Sequence, residues 1–317
     1  MAGDVEFDFP TYVVTGQVVN SYASGIVTPK NPRYVWISTN LGFASDTIKG
    51  QSITVTIPNE PGEYSIRAMA MADDYYNSSK DHKIIAISIS GGSVSGLATT
   101  DQMITDPRDS EQYYVKQYGN LLWFVENLRY AGDTANSNPA LRDTVGHAYE
   151  NSDAIGRIFG RLYSWNEATS GVSGQGLAGG PQGVCPPGWS IPTSEDWVDL
   201  ANAVSPGEYD YFDVWNDLGD VLSAPIKLNN QALWPYSPQN EHHNTAKWNA
   251  IPSGNYNNFA ADFENVGKYG MWWSSVESED GEMANYRYIF YNNSSVNQHF
   301  AYKDSYGVSV RCVKLAM

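Results

Sequence analysis

The side chains best suited to redox, nucleophilic or soft-metal chemistry in this chain are two cysteines and five histidines. The cysteines are Cys185 and Cys312, and they suggest either one disulfide formed in an oxidising compartment or two reduced, buried thiols. Neither the CxxC nor the HExxH spacing of common metal sites occurs in the sequence. These residues therefore predict no metal cofactor.

Two polar clusters offer weaker metal chemistry. The first is Glu-His-His at 241–243, where at most one histidine would join a common site, because neighbouring residues of a strand point to opposite faces. The second contains Glu277, Glu279 and Asp280, which supply the oxygen ligands that calcium prefers but lack the EF-hand spacing. We expect a solvated loop for the first cluster, with a metal site as the alternative. For the second we expect a solvated acidic turn, with calcium binding by Glu277, Glu279 and Asp280 as the alternative.

Aromatic side chains are more suggestive of ligand binding. Long stretches rich in Asn, Pro and Gly lie between about residues 205 and 269, and aromatic rings there could stack on sugars or anchor a protein partner. The residues predicted to bind a ligand are Trp234, Tyr236, His242, Trp248 and Tyr256. The tryptophans expected to pack in the core instead are Trp189, Trp197, Trp272 and Trp273.

Composition excludes several classes of partner. The chain has 317 residues and a formal net charge of -16, which opposes attraction to phosphate backbones, so nucleic acid is not expected as a partner. No apolar run is long enough to span a membrane. The first residues do not resemble a signal peptide, so export would require a leader removed before Met1.

The chain divides into two regions of different character. Short β-branched and aromatic runs with alternating polarity predict strands at 12–19, 34–38, 52–57, 64–71 and 84–90. This spacing predicts an immunoglobulin-like (Ig-like) β-sandwich over residues 1–96. A flexible linker follows at 91–100, and residues 97–317 form a second, α+β domain. There, Thr193 is a helix N-cap with Asp196 three residues on, and a second helix is predicted at 211–222.

Seven ordered phrases of the second region match one family. The region from about residue 104 onward resembles the Fibrobacter succinogenes major paralogous domain, a family of exported proteins of the Bacteroidetes and Fibrobacteres. The phrases are TDPRD at 105–109, GNLLWFVENL at 119–128, GRLYSW at 160–165, CPPGWSIPTSEDW at 185–197, IPSGNY at 251–256, GMWWSS at 270–275 and GVSVRCV at 307–313.

The resemblance implies a fold similar to the C-type lectin fold and to the sulfatase-modifying oxidases. Cys185 would then precede a helix, Cys312 would lie on the closing strand, and the two would form a disulfide. With both thiols bridged, no cysteine remains for the oxidase chemistry of the catalytic relatives. The tripeptide Trp215-Asn216-Asp217 matches a calcium-binding tripeptide of C-type lectins, but it precedes the long loops, so we expect it in a helix without calcium.

These expectations combine into one functional hypothesis. The chain is predicted to be a non-catalytic, exported cell-surface protein anchored at the outer membrane, working as an adhesin or fimbrial-tip-like protein. The first domain would act as a spacer, and the second would bind a glycan or a host or surface protein through its long loops. A structural surface or pilus subunit that packs against other subunits is the alternative. A carbohydrate-active enzyme is a more distant one, because it needs two carboxylates at a defined separation.

Overall fold

The structure is a computed structural model. It describes residues 4–25, 32–43, 48–71, 77–88, 93–132, 145–205, 207, 209 and 214–316. Two compact units are distinguished, one comprising Met1–Val94 with Leu228–Asn230 and the other Ser95–Lys227 with Gln231–Met317. Both contain more strand than helix, which confirms the prediction of a mainly β chain. Within the described ranges, no helix is long and apolar enough to cross a membrane.

The first unit is built from two antiparallel-rich sheets. The strands are β1 (Glu6–Phe7), β2 (Tyr12–Val14), β3 (Val18–Ser24), β4 (Arg33–Ile37), β5 (Ile48–Lys49), β6 (Ser52–Thr56), β7 (Gly62–Met71) and β8 (Ser78–Ile87). One sheet has the strand order β1-β3-β6, and the other has the order β2-β8-β7-β4-β5, in which β2 runs parallel to β8.

Both sheets of the first unit bury alternate side chains in one core. In β7, Ile66, Ala68 and Ala70 are buried while the residues between them are not, which is the period of a half-buried strand. Trp36 of β4 is fully buried against Phe7, with ring centroids 5.2 Å apart. The unit is therefore a sandwich of two sheets around a common core.

The predicted strand at 12–19 is two strands. Gly16 separates them with a φ of +78°, a conformation that glycine adopts without the steric cost of a β-carbon. The turn is closed by Gln17, whose side-chain carbonyl accepts a hydrogen bond from the Val14 amide at 3.0 Å. The chain thereby passes from one sheet to the other.

The second unit combines several small sheets with short helices. The elements from the end of the first unit onward are β9 (Val94–Ser95), β10 (Gln102–Thr105), β11 (Gln112–Tyr118), β12 (Leu121–Phe124), β13 (His147–Ala148), a 3-10 turn (Tyr149–Asn151), α1 (Asp153–Phe159), β14 (Arg161–Leu162), α2 (Trp165–Thr169), α3 (Ser194–Val204), α4 (Leu218–Leu222), β15 (Lys227–Leu228), β16 (Gln231–Ala232), β17 (Asn255–Asn257), β18 (Asp262–Glu264), β19 (Tyr269–Glu277), β20 (Met283–Phe290), β21 (Val296–Tyr302), β22 (Tyr306–Gly307) and β23 (Val313–Leu315). The principal sheets of the second unit have the orders β10-β11-β12-β23, β19-β20-β21 and β18-β17-β22, and β13 pairs with β14.

Helix α3 begins where its capping residues predict. The Thr193 hydroxyl accepts a hydrogen bond from the Asp196 amide at 3.3 Å, and the Asp196 carboxylate accepts one from the Thr193 amide at 2.7 Å. This reciprocal pair satisfies two amides that the first helical turn leaves free. Trp197, Leu200 and Ala201 are buried on one face of the helix. The predicted N-cap is confirmed.

The second predicted helix, at 211–222, is correct over 218–222 and wrong over 214–217. Residues 211–213 lie outside the described residues, and α4 begins only at Leu218. Trp215 instead forms a strand-like bridge, in which its amide and carbonyl both bond Val296, at 2.9 and 3.0 Å. Asp217 has a φ of +61°, which interrupts any helix running into α4. The linker predicted at 91–100 also lies partly outside the described residues, at 91 and 92.

A buried arginine organises the core of the second unit. The Arg311 guanidinium is fully buried and stacks on the Trp248 ring, 4.1 Å from its centroid. It donates hydrogen bonds to the carbonyls of Trp248 and Asn249, both at 2.7 Å, and to Asn127 Oδ1 at 2.8 Å. Burial lowers the pKa of Arg311 to about 9, so the group stays charged at neutral pH. The tryptophans packed around it in a chain of ring contacts are Trp123, Trp197, Trp248 and Trp272.

The predicted disulfide between Cys185 and Cys312 is present. Both cysteines are fully buried, and their Cα atoms are 5.8 Å apart. Beside the disulfide, Ser190 and Val313 exchange two backbone hydrogen bonds, at 2.8 and 2.9 Å. The segment that leads into α3 is thus tied both covalently and by hydrogen bonds to the final strand, β23, which pairs with β12.

We predict that replacing both cysteines, Cys185→Ala with Cys312→Ala, lowers the free energy of unfolding. The two residues are 127 positions apart, and chain entropy alone assigns a closed loop of that order about 4 to 5 kcal/mol. Urea unfolding followed by tryptophan fluorescence measures the change. Reductant should destabilise the wild type and leave the double variant unchanged, and an equal response of the two proteins would contradict the disulfide.

We predict that Arg311→Met destabilises the second unit by about 3 kcal/mol or more, because buried carbonyl acceptors lose charge-assisted hydrogen bonds. Arg157→Met is the matched control, since the Arg157 side chain is 61% exposed and its ion pair with Glu111 should contribute less than about 1 kcal/mol. Chemical denaturation of both variants tests the difference. Equal losses would refute the organising role of Arg311.

Candidate ligand-binding site

An open groove of about 380 Å³ lies on the second unit, and we call it the tyrosine groove. One side is formed by the β19-β20-β21 sheet, and the remainder comes from the β17–β18 hairpin and β22. Its volume is within the range of about 300–1,000 Å³ that is usual for small-molecule sites. The lining residues are Asn255, Glu264, Asn265, Tyr269, Met271, Tyr286, Tyr288, His299, Phe300, Ala301, Tyr306 and Val308.

The pairing of three strands aligns the aromatic rings of the tyrosine groove. Tyr286 and Tyr288 are two residues apart in β20, so their side chains leave the same face of the sheet. Register places Tyr286 opposite His299 of β21, with ring centroids 6.0 Å apart. The centroid of Tyr288 is 6.0 Å from that of Tyr286 and 5.8 Å from that of Tyr269 in β19. The four rings form a continuous row.

Polar groups lie beside this row. Glu264 accepts hydrogen bonds from the side-chain amides of Asn255 at 3.3 Å and Asn257 at 3.0 Å. Asn265 donates to Asn255 Oδ1 at 2.7 Å. His299 Nδ1 is 2.8 Å from the Phe300 carbonyl and must donate to it, which leaves Nε2 as an acceptor in the neutral ring. The groove therefore contains carboxylate, amide and imidazole groups in fixed orientations.

The phenol hydroxyls of the tyrosine groove have no protein partner in the part of the chain that the structure describes. This holds for Tyr269, Tyr286, Tyr288 and Tyr306. Burial raises the pKa of Tyr286 to about 12, and burial with the neighbouring Tyr269 raises the pKa of Tyr288. The phenols of Tyr286 and Tyr288 are therefore neutral at physiological pH and available both to donate and to accept hydrogen bonds.

Three of the residues predicted to bind a ligand meet at a different place, which we call the loop pocket. Trp234, Tyr236 and His242 line this space of about 330 Å³ together with three prolines. Trp234 and His242 stack with centroids 4.7 Å apart, and both are buried, whereas Tyr236 is 91% exposed. Burial lowers the pKa of His242 to about 4, so its ring is neutral. Of these three side chains, only that of Tyr236 exposes substantial surface to a ligand.

The structure places Trp248 in the core, and its predicted role in binding is wrong. Trp248 has no exposed surface, and Arg311 covers one face of its ring. Tyr256 is half-buried on β17, stacked on His147 with centroids 3.8 Å apart, and it does not line the tyrosine groove. Richness in asparagine, proline and glycine marked a loop region but could not distinguish an aromatic residue that packs inward from one at the surface.

The predicted polar clusters are occupied by interactions within the protein. Glu277 pairs with Lys303, and Asp280 accepts hydrogen bonds from the Ser278 hydroxyl at 2.6 Å and the Glu282 amide at 3.0 Å. For Glu279 no such contact is found within the described ranges. Across those same ranges, no three His, Cys, Asp or Glu side chains are gathered in a way that could hold a metal ion. In the other cluster, His243 pairs with Asp220 at 2.6 Å, away from the stacked His242.

Sequence reasoning did not identify the tyrosine groove. The alternation of Tyr286, Arg287 and Tyr288 was the available signal, because a strand with a buried inner face exposes every second residue. The contributions of Tyr269, Glu264 and Tyr306 depend on pairing between distant strands and leave no local pattern.

The fold and the groove together define a class of protein: a β-rich, disulfide-closed domain that carries an open groove lined by aromatic side chains. Comparison with protein families makes the assignment specific. The chain belongs to the Fibrobacter succinogenes major domain family, whose family model matches residues 116–314. No curated protein matches the chain.

Comparison with solved structures gives only weak likenesses. Two variants of the superoxide reductase (neelaredoxin) of Ignicoccus hospitalis share 9% and 10% identity, at TM-scores of 0.23 and 0.22, each covering 27% of this chain and 81% of the reductase. Three N-terminal domains of the highly immunogenic outer capsid protein of bacteriophage RB49 share 17% identity at a TM-score of 0.20, covering 45% of this chain and 49% of theirs. Likenesses at these scores carry no functional information.

We predict that alanine substitution has a large effect on stability at one of the residues first expected to bind a ligand and almost none at another. Trp248→Ala should destabilise the protein by about 3 to 5 kcal/mol, as large-to-small core substitutions do. Tyr236→Ala should change stability by less than about 0.5 kcal/mol, because the side chain is almost fully exposed. Thermal and urea unfolding of both variants measure this, and a large loss in Tyr236→Ala would contradict the placement of that residue.

Proposed function

We propose that this chain is a non-catalytic recognition protein, exported to the cell surface, that binds a glycan or protein ligand in the tyrosine groove. The observation that carries the proposal is the row formed by Tyr269, Tyr288, Tyr286 and His299, whose rings are about 6 Å apart in an open groove. Aromatic faces supply contact area at a small entropic cost, and the unpartnered hydroxyls supply hydrogen bonds. An adhesin or fimbrial-tip-like role uses such a surface.

The proposed architecture is an Ig-like spacer followed by a C-type lectin-like recognition domain. Two sheets around one core in the first unit support the spacer. In the second unit, a capped helix and the last strand are joined through the Cys185–Cys312 disulfide, as the resemblance implied. The disulfide also supports export, because such bonds persist mainly in oxidising compartments.

Binding without catalysis is favoured by the contents of the tyrosine groove. Glycoside hydrolysis ordinarily needs two carboxylates flanking the scissile bond, and the described lining of the groove contains Glu264 alone. Both cysteines are consumed by the disulfide, so no thiol remains among them for oxidase chemistry. The lining residues are suited to stacking on a ligand and to forming hydrogen bonds with it.

A structural subunit that packs against other subunits is the second candidate. Tyr236 is 91% exposed and Phe259, at the tip of the β17–β18 hairpin, is 86% exposed. Large aromatic residues at the surface are enriched in protein–protein interfaces. This candidate predicts self-association, which analytical ultracentrifugation of the wild type and of a Tyr236→Ala, Phe259→Ala variant would detect.

The test of the proposed function is ligand screening with a matched pair of variants. We expect the full chain to retain a ligand on a glycan array or among matrix proteins, and Tyr288→Ala to weaken that binding by about tenfold or more. Tyr236→Ala, at the loop pocket, should bind as the wild type does. Absence of binding on both screens, or binding that survives Tyr288→Ala combined with Tyr286→Ala, would refute the proposal.

A further inference from the structure

We infer that the ligand of the tyrosine groove is an uncharged saccharide, an inference that rests on the proposed function and specifies its ligand. The groove combines a row of phenol rings with groups that bind hydroxyls, and its described lining contains no lysine or arginine to attract an anion. A pyranose ring has the matching character, since it carries apolar C–H faces and an edge of hydroxyl groups. Each part of the match is carried by different residues.

The first part is the stacking surface. The rings of Tyr269, Tyr288 and Tyr286 follow one another at spacings of 5.8 and 6.0 Å along one face of the sheet. Met271 is directly opposite Tyr288 in the pairing of β19 with β20 and therefore projects from the same face of the sheet. Rings held by strand pairing and partly packed against the core lose little conformational entropy when a ligand covers them.

The second part is the hydrogen-bonding edge. Each oxygen of Glu264 accepts one amide hydrogen bond, from Asn255 or Asn257, and retains a free lone pair for a ligand hydroxyl. In the neutral imidazole of His299, Nε2 is an acceptor, because Nδ1 donates to the Phe300 carbonyl. The unpartnered phenol hydroxyls add groups that both donate and accept. Acceptors therefore predominate, which suits a ligand rich in hydroxyl donors.

The third part is charge. The described lining of the tyrosine groove contains neither lysine nor arginine, and Glu264 is its one carboxylate. The whole chain carries a formal net charge of -16, which adds a long-range repulsion of anions. Sialylated, sulfated or uronate-bearing glycans would therefore bind without a counter-charge.

The experiment uses the full chain and pairs of oligosaccharides that differ by one acidic group. The neutral probes are galactose-, glucose- and mannose-based oligosaccharides, and the acidic probes are their sialylated or glucuronate-bearing counterparts. Isothermal titration calorimetry should show binding of at least one neutral probe and a loss of about tenfold or more for its acidic counterpart. Tyr288→Ala should weaken the neutral complex by about tenfold or more, and Tyr236→Ala should leave it unchanged.

The substitution Glu264→Gln tests the effect of the carboxylate charge separately from that of side-chain size. Because it keeps the size but removes the charge, it should reduce the difference in affinity between neutral and acidic probes. Unfolding curves of each variant must match that of the wild type before affinities are compared.

The outcomes distinguish the two proposals. Preference for the acidic probe, binding of no saccharide, or Tyr288-dependent binding of a protein would each overturn the saccharide inference, and the last would leave the proposed function standing. If no ligand of any kind depends on Tyr286 and Tyr288, both proposals fail.

Discussion

The architecture of the second unit depends on the hydrogen bonds that one buried guanidinium requires. A guanidinium removed from water is costly unless its donors are paired, and Arg311 pairs them with the carbonyls of Trp248 and Asn249 and with the side chain of Asn127. Asn127 in turn accepts from the Trp272 indole at 2.9 Å and donates to the Phe159 carbonyl at 2.8 Å. Segments far apart in sequence are thereby held to one geometry.

This constraint reaches the tyrosine groove through β19. Trp272 faces the arginine and its tryptophan cluster, so the alternation of the strand turns Met271 and Trp273 to the opposite side. Trp273 contacts Tyr286, with ring centroids 5.9 Å apart, and begins the aromatic row that continues into the groove. The orientation of the tyrosine groove thus follows from which face of β19 the buried cation occupies.

Local chemistry explains what the sequence predicted correctly, and non-local pairing explains what it did not. The helix cap at Thr193 needs only Asp196, three residues away, so it is visible in the chain itself. Trp248 and Tyr236 occur in similar loop composition, yet one packs against Arg311 and the other is exposed. The groove joins residues from 255 to 308 through strand register, which no window of sequence contains.

The two faces of strand β20 have different environments. Asn285, Arg287 and Ile289 are buried on one side, while Tyr286 and Tyr288 border the groove on the other. Tyr286 and Tyr288 pack only partly against the core, so the inner set carries the larger share of the burial that holds the strand in the sheet. Exchange of the outward side chains would accordingly change the chemical character of the groove while the buried set continues to hold the strand in place.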